Sequence, residues 1–201
     1  MKKIGRGWQY TTYDLGDGRV LKKYNSIPVG YWHMVKECFP FKNDKIWEIP
    51  GFYKGCRETA LDSIKKISQP VLEGWMMGNP KILNTLDYEQ DKLTPLHDFF
   101  LTAGPEEGRA AIDAFVEFNK ILVQKSLIDK SFNIAKNFAF DQQKRIVLMD
   151  LGELYSSTAA INKQIKNRAW AKHYVVNPLP PELRDYFVAK MDIVFSINAS
   201  H

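Results

Sequence analysis

The segment from Asn137 to Gly152 constrains the fold of this chain more than any other part of the sequence. Apolar stretches lie on both sides of a polar stretch, Asp141–Lys144, so the segment predicts two short strands joined by a turn. Asn137 stands at the start of this hairpin and Asp150 at its end. The two polar side chains are therefore predicted to lie at the ends of neighbouring strands. The alternative is an ordinary hairpin in which the Asp-Leu-Gly sequence is only a turn.

The rest of the chain predicts strands and helices of different kinds, without internal repeats. The clearest helix follows Gly104, with a proline at its first position, carboxylates in its first turn and apolar residues on one face. Residues 25–53 have no clear period and are predicted to be a loop with short helical or strand pieces. The predicted elements are strands at 8–15, 19–24 and 82–86, an acidic link at 87–92, the hairpin at 137–152, and helices at 57–67, 95–100, 105–125, 161–173 and from 180 onward.

Several residues in the N-terminal third suit ligand binding. Gly5 and Gly7 form a segment where backbone N–H groups can approach a phosphate without an intervening Cβ. Val20 and Lys22 lie two residues apart on a predicted strand and therefore share one face. Glu58 lies in the first turn of the predicted helix. Each has a plainer interpretation: turn glycines, a solvated edge lysine, and a carboxylate favoured by the helix dipole.

The order of these features resembles that of the protein-kinase-like superfamily. The segment 137–152 is similar to N-I-L-L-D-x-x-x-x-I-K-L-x-D-F-G without a gap, and Arg19-Val20-Leu21-Lys22 stands where that superfamily has V-A-I-K. The resemblance implies that the chain binds ATP with Mg²⁺. The implied roles are phosphate contacts for Gly5 and Gly7, an adenine contact for Val20, a phosphate contact for Lys22 held by Glu58, and Mg²⁺ coordination by Asn137 and Asp150.

The pattern departs from the superfamily where catalysis needs it. Phe132 stands five residues before Asn137, at the position of the H-R-D aspartate, and no histidine precedes it in the loop. A phenylalanine cannot accept a proton from a substrate hydroxyl. The nearest carboxylate is Asp129, which is predicted to serve as the catalytic proton acceptor beside Lys22. The alternative is that the substrate itself handles the proton.

This departure is typical of the YrbL family of small bacterial kinase-like proteins (PhoP regulatory network), to which the chain is similar. The similarity extends over roughly residues 1–175 and includes Arg57-Glu58, the segments 70–74 and 86–99, and residues 122–128 before the loop. The part that follows Gly152 is too short for the helical subdomain that holds a peptide in full protein kinases, and it has no Ala-Pro-Glu sequence. Any substrate is therefore expected to be held differently.

The composition fits one folded unit or two small lobes. The chain has 201 residues, of which 45% are apolar and 25% are charged, as in an ordinary globular protein. Together with the resemblance, this predicts an α+β chain with a minimal two-lobed protein-kinase-like fold. The β-rich N-lobe is placed at residues 1–88 and the reduced helical C-lobe at residues 89–201, in one structural domain overall.

The composition also excludes several classes of protein. No apolar run approaches the roughly 20 residues that span a bilayer, and polar residues interrupt the N-terminus before a signal-peptide core. Cys38 and Cys56 lack metal-ligand spacing and argue against both a zinc module and a disulfide framework, so a reducing cytosol is the expected compartment. The net charge of +5 suits attraction of phosphate, and no cluster of basic and aromatic residues points to nucleic acid.

The sequence leaves three functions open. The first is an ATP-dependent phosphotransferase with an atypical catalytic loop and an unidentified phosphoacceptor. The second is a pseudokinase that binds nucleotide and acts by contacting a protein partner, with Phe132 marking lost catalysis. The third is a basic nucleic-acid-binding or adaptor module that shares only the order of hairpins and helices.

Overall fold

A computed structural model of the protein describes residues 1–37 and 49–196. The N-terminal lobe is built on an antiparallel sheet whose strands lie in the order β1-β2-β3-β5-β4. Asp14 pairs with Val20 across the glycine-rich turn, where Gly16 and Gly18 have φ values of +89° and +83° that favour glycine. The strands are β1 (Lys2–Arg6), β2 (Tyr10–Asp14), β3 (Arg19–Tyr24), β4 (Lys81–Ile82) and β5 (Tyr88–Asp91).

The segment predicted to be an acidic link, 87–92, contains strand β5 instead. Tyr88 and Gln90 are buried, whereas Glu89 and Asp91 lie on the other face and form ion pairs with Arg19 of β3. The carboxylates are therefore compatible with a strand because they alternate with buried residues. The predicted lobe boundary at residue 88 falls on the first residue of this strand, all of which belongs to the N-terminal sheet.

Two helices pack beside the sheet. Helix α1 (Ile27–Glu37) lies in the segment predicted to be a loop, and helix α2 (Ile49–Ile67) begins eight residues before its predicted start. The buried face of α2 includes Cys56, whose thiol is free; Cys38 lies outside the described residues. Ser63 connects α2 to the C-terminal lobe, since its hydroxyl oxygen accepts from the Leu154 N–H at 3.0 Å, while its hydroxyl proton is shared between the carbonyls of Thr59 and Leu154.

The C-terminal lobe is mainly helical. Its longest element, α4 (Pro105–Gln124), packs against α8 (Pro181–Ser196), and Gly108 allows their close approach because a Cβ there would clash with the Leu183 side chain unless that side chain moved. Phe115 and Phe187 meet in the core between them. The other elements are β6 (Thr94–Pro95), α3 (Leu96–Phe100), β7 (Ile128–Asp129), α5 (Ile134–Asn137), β8 (Phe138–Phe140), β9 (Ile146–Leu148), β10 (Leu154–Tyr155), α6 (Thr158–Lys166) and α7 (His173–Val176).

The predicted hairpin is confirmed as β8 and β9, in which Phe138 pairs with Leu148 and Phe140 with Ile146. Strand β6 joins its free edge, so the chain that leaves the N-terminal sheet pairs with the hairpin at once. This pairing brings the end of the hairpin close to the sheet, where residues of both line one cavity. Among the described residues, no helix is both long and apolar enough to cross a membrane.

Candidate functional site

Two adjoining cavities lie between the sheet and the hairpin. The larger, of about 680 Å³, is lined by Lys22, Asn137 and Asp150 among others. The smaller, of about 490 Å³, is lined by Gly5, Val20 and residues 90–95. Thr12 and Lys22 line both cavities, so the two adjoin, and together they are called the cleft. The larger part is lined by both polar and aromatic side chains, and the smaller part follows the segment that joins the lobes.

Lys22 lies at the junction of the two cavities. Its side chain is buried, and Nζ donates a hydrogen bond of 3.3 Å to the carbonyl oxygen of Met149. Burial lowers the pKa of Lys22, and the nearby carboxylate of Asp150 opposes this by favouring the charged form. Val20 faces the same cleft, whereas Lys23 is exposed. The predicted alternation along β3 is therefore confirmed.

The structure does not bring Glu58 to Lys22. Glu58 is exposed in the middle of α2 and lines neither cavity. The predicted pairing was wrong because it placed Glu58 in the first turn of a shorter helix. With α2 beginning at Ile49, the face of the helix turned to the protein carries Tyr53, Cys56 and Ala60, and Glu58 falls outside it.

Asn137 and Asp150 lie side by side in the larger cavity. The carbonyl oxygen of Asn137 accepts from the N–H groups of Met149 (2.8 Å) and Asp150 (3.2 Å). The end of the hairpin therefore holds the two residues together, as the sequence predicts. The Gly152 N–H bonds Asp150 Oδ1, which leaves Oδ2 and lone pairs of Oδ1 for a ligand.

These residues suit a divalent cation. The amide nitrogen of Asn137 donates to Asp129, so the amide oxygen is the atom left to face a ligand. An amide oxygen and a carboxylate are the oxygen donors that Mg²⁺ accepts, together with water and phosphate oxygens. The donor set of Asn137 and Asp150 therefore fits Mg²⁺.

Asp129 does not occupy the position predicted for it. Its carboxylate is fully buried and lines neither cavity. Oδ2 accepts from the Ser131 N–H and hydroxyl and from the Asn133 N–H, and Oδ1 accepts from the Asn137 amide. Burial raises the pKa of Asp129 and these hydrogen bonds oppose the rise. The carboxylate organises the loop and orients Asn137, so its assignment as the proton acceptor is corrected.

Phe132, at the position of the missing aspartate, belongs to the core. Its side chain is fully buried and its ring contacts Trp170 and Phe195. Its φ of +53° is rare for a bulky residue and turns the side chain away from the cleft. The space that an aspartate would occupy here is filled by aromatic rings.

Glu153 lines the larger cavity and was missed by the sequence analysis. Burial, with smaller contributions from Asp150 and Asp129, raises the pKa of Glu153 to about 8, while Lys130 opposes the rise. It follows the Asp-Leu-Gly sequence directly, and that adjacency was the one available signal. Its burial depends on the packing of the loop 129–137 against it, which no local pattern reveals.

Three glycines lie where the N-terminal sheet and the Asp-Leu-Gly segment border the cleft. Gly7 lines the larger cavity and Gly5 the smaller one. Gly152 packs against the start of β2, where a Cβ would lie only 2.7 Å from Tyr10 Cε2. Tyr88 of β5 strengthens the same contact between the lobes, because its hydroxyl accepts from the Leu151 N–H at 3.3 Å. The Asp-Leu-Gly segment is therefore held against the N-terminal sheet.

Comparison with solved structures identifies WbdD as a neighbour. Its crystal structure superimposes with a TM-score of 0.50 at 15% sequence identity, covering 100% of this chain and 46% of WbdD. The fold is kinase-like. A co-crystal of WbdD with the kinase inhibitor LY294002 matches with a TM-score of 0.48 at 17% identity, covering 97% of this chain and 44% of that one. The chain therefore spans less than half the length of these neighbours.

No family model and no curated protein sequence matches this chain. The similarity to WbdD therefore establishes the fold alone, and the resemblance to the YrbL family stays a prediction. Function has to be argued from the cleft itself.

Proposed function

We propose that this chain binds ATP with Mg²⁺ in the cleft and transfers the γ-phosphoryl group to a small acceptor. The observation that carries the proposal is the convergence of Lys22, Asn137 and Asp150 on one cavity that adjoins a narrower slot between the lobes. A buried cation and a carboxylate–amide pair are the groups that phosphoryl transfer needs for charge neutralisation. The expected cytosolic location suits this activity and a free Cys56 thiol.

The smaller cavity is suited to the base. Val20 and Met149 supply apolar walls on opposite sides, and Gln90–Leu93 borders the slot. A flat aromatic ring between such walls leaves its polar edge for the backbone and side chains of that segment. A ligand whose base fills this slot would extend its phosphates past Lys22 into the larger cavity, where Asn137 and Asp150 would hold Mg²⁺.

In the transfer step, an acceptor oxygen forms a bond to the γ-phosphorus as the bond to the bridging oxygen breaks, and ADP leaves with that oxygen. The acceptor proton passes to water or to a carboxylate of the cavity. Asp150 and Glu153 both line this part of the cleft, whereas Asp129 is sealed within the loop. Because the pKa of Glu153 is raised to about 8, this carboxyl can accept the proton only when it is ionised. Mg²⁺, when bound, neutralises the phosphate charge.

A pseudokinase is the second candidate. It is favoured by Asp129 being fully hydrogen-bonded and by Phe132 filling the place of the usual proton acceptor. In that case the chain binds ATP and acts on a protein partner. We propose no nucleic-acid partner, and we treat kinship with the YrbL family as a working hypothesis.

Thermal shift and calorimetry with ATP, with and without Mg²⁺, test the proposal first. We expect ATP to raise the melting temperature, with a larger rise when Mg²⁺ is present. A γ-phosphate transfer assay with sugar, small-molecule and protein acceptors then separates the two candidates. Binding without transfer to any acceptor supports the pseudokinase, and no stabilisation by ATP contradicts both. Salt-dependent binding of oligonucleotides instead would support the third function.

A further inference from the structure

Asn25 holds the turn between β1 and β2. It follows β3 directly, is 7% exposed, and uses every polar group that it has. Its side-chain nitrogen donates to the carbonyl oxygens of Gly7 (2.8 Å) and Trp8 (3.1 Å), and its backbone N–H donates to that of Gln9 (2.7 Å). Three consecutive carbonyl groups of the turn are therefore held by one residue.

Asn25 is itself held from two sides. The hydroxyl of Thr11 donates to its side-chain oxygen at 2.6 Å, which fixes the amide orientation so that the nitrogen faces the turn. The hydroxyl of Tyr53, on helix α2, donates to its backbone carbonyl at 3.1 Å. The position of Asn25 is therefore set by both the sheet and the neighbouring helix.

The orientation of these carbonyls determines that of the adjacent N–H groups. In a trans peptide the carbonyl of one residue and the N–H of the next point in opposite directions. Since Gly7 and Trp8 direct their carbonyls at Asn25, the N–H groups of Trp8 and Gln9 point away from it. Neither N–H has an acceptor within the part of the chain that the structure describes.

The turn also carries an unused side-chain donor. Gln9 is 4% exposed and lines the larger cavity, yet its Nε2 has no hydrogen-bond partner among the described residues. Gly7 and Trp8 line the same cavity. Buried donors without acceptors are costly, and a phosphate oxygen would satisfy them.

We propose that Asn25 is a positioning residue that presets the Gly7–Gln9 turn to bind the phosphate groups of the nucleotide. The turn then presents its N–H groups before the ligand arrives. This inference rests on the proposed function, because it requires a nucleotide in the cleft. A residue that lies outside the cleft thus determines the orientation of the hydrogen-bond donors that line it.

The test compares ADP with adenosine by calorimetry in the presence of Mg²⁺. Asn25→Ala is expected to raise the Kd for ADP roughly tenfold, because the turn N–H groups are no longer held in place to donate to the charged phosphates. The Kd for adenosine should change less than twofold, since adenosine has no phosphate. A residue that only stabilises the fold would weaken both ligands alike, and that result, or an unchanged Kd for ADP, would overturn the inference.

A second variant covers the case in which Asn25→Ala does not fold. Thr11→Val removes only the hydroxyl that orients the Asn25 amide, and it should raise the ratio of the two Kd values in the same direction by a smaller factor. Asn84→Ala is the control, because Asn84 also holds a turn by hydrogen bonds between its side chain and the backbone, here accepted from the Leu86 and Asp87 N–H groups, but it lies in an exposed turn outside the cleft. If the natural protein binds neither ADP nor adenosine, the proposed function fails as well. If it binds both, and the ratio of the two Kd values is unchanged in the variants, only the role of Asn25 is refuted.

Discussion

The side-chain nitrogen of Asn137 donates a 2.6 Å hydrogen bond to Oδ1 of Asp129. One carboxylate therefore orients the amide that faces the cleft, and the same carboxylate closes the loop by accepting from Ser131 and Asn133. The loop that carries the proton acceptor in protein kinases is here stabilised by a buried carboxylate. Its main effect is on the orientation of the Asn137 amide, one of the two proposed Mg²⁺ ligands.

Replacing Asp129 by Asn should reduce stability and Mg²⁺ affinity together. The variant puts an NH₂ group against existing donors, so we expect a loss of roughly 2–4 kcal/mol in the free energy of unfolding. Urea denaturation and Mg²⁺-dependent ATP calorimetry measure the two effects, with Asp185→Asn on the exposed side of α8 as the control. A transfer rate reduced about a hundredfold with unchanged stability and ATP affinity would instead identify Asp129 as a proton acceptor.

Asp150→Ala should abolish the Mg²⁺-dependent part of ATP stabilisation. The carboxylate that faces the cleft is removed, while β8 and β9 keep their pairing, so the fold should remain. Calorimetric titration of ATP with and without Mg²⁺ measures the effect. An unchanged dependence on Mg²⁺ would show that the Asp-Leu-Gly sequence is only a turn.

Lys22→Met and Lys23→Met should have very different effects on the affinity for ATP. Lys22 is buried in the cleft and Lys23 is exposed on the opposite face of β3, so only the first is expected to raise the Kd for ATP, by roughly tenfold or more. Methionine keeps most of the apolar stem, which limits the effect on packing. Equal effects of the two substitutions would argue against a phosphate contact at Lys22.

The raised pKa of Glu153 should make the free energy of unfolding depend on pH. Its pKa is about 8 in the folded protein, against an ordinary value near 4.5, so between these values the folded state keeps a proton that the unfolded state releases. The free energy of unfolding should therefore fall as pH rises from about 4.5 to 8. Thermal melts in EDTA should show Glu153→Gln to be stabilising at pH 8 and nearly neutral at pH 4.5. Parallel pH profiles of the two proteins would contradict the burial of this carboxylate.

Phe132→Asp should not restore a proton acceptor. The new carboxylate would lie among the rings of Trp170 and Phe195, where burying an unpaired charge costs several kcal/mol. We expect a large loss of stability and no gain in phosphoryl transfer, with Phe132→Leu as the milder control. A folded variant with faster transfer would show that the loop can rearrange to expose this position.

The parts of the site that depend on local pattern were predictable from sequence. Val20 and Lys22 share a face because strands alternate, and Asn137 and Asp150 meet because a hairpin joins them. The hairpin, the long helix α4 and its proline start also follow local rules. These features need no knowledge of distant contacts.

The remaining parts depend on contacts between distant segments. Glu58 was misplaced because α2 begins within a stretch that has no clear period. The role of Asp129 and the environment of Glu153 arise from packing of the loop 129–137 against the segment after Gly152. Strand β1 escaped prediction because its residues are largely exposed, as is common for an edge strand.

The contacts of Tyr88 with Leu151 and of Tyr10 with Gly152 have a consequence for cooperativity. They tie the sheet to the hairpin across the cleft, so neither lobe can open far without breaking buried contacts of the other. The chain should therefore melt in one calorimetric transition, and slow amide exchange should extend across both lobes. The site would then exist only in the fully folded molecule, and an isolated N-terminal fragment would lack both nucleotide affinity and a stable sheet.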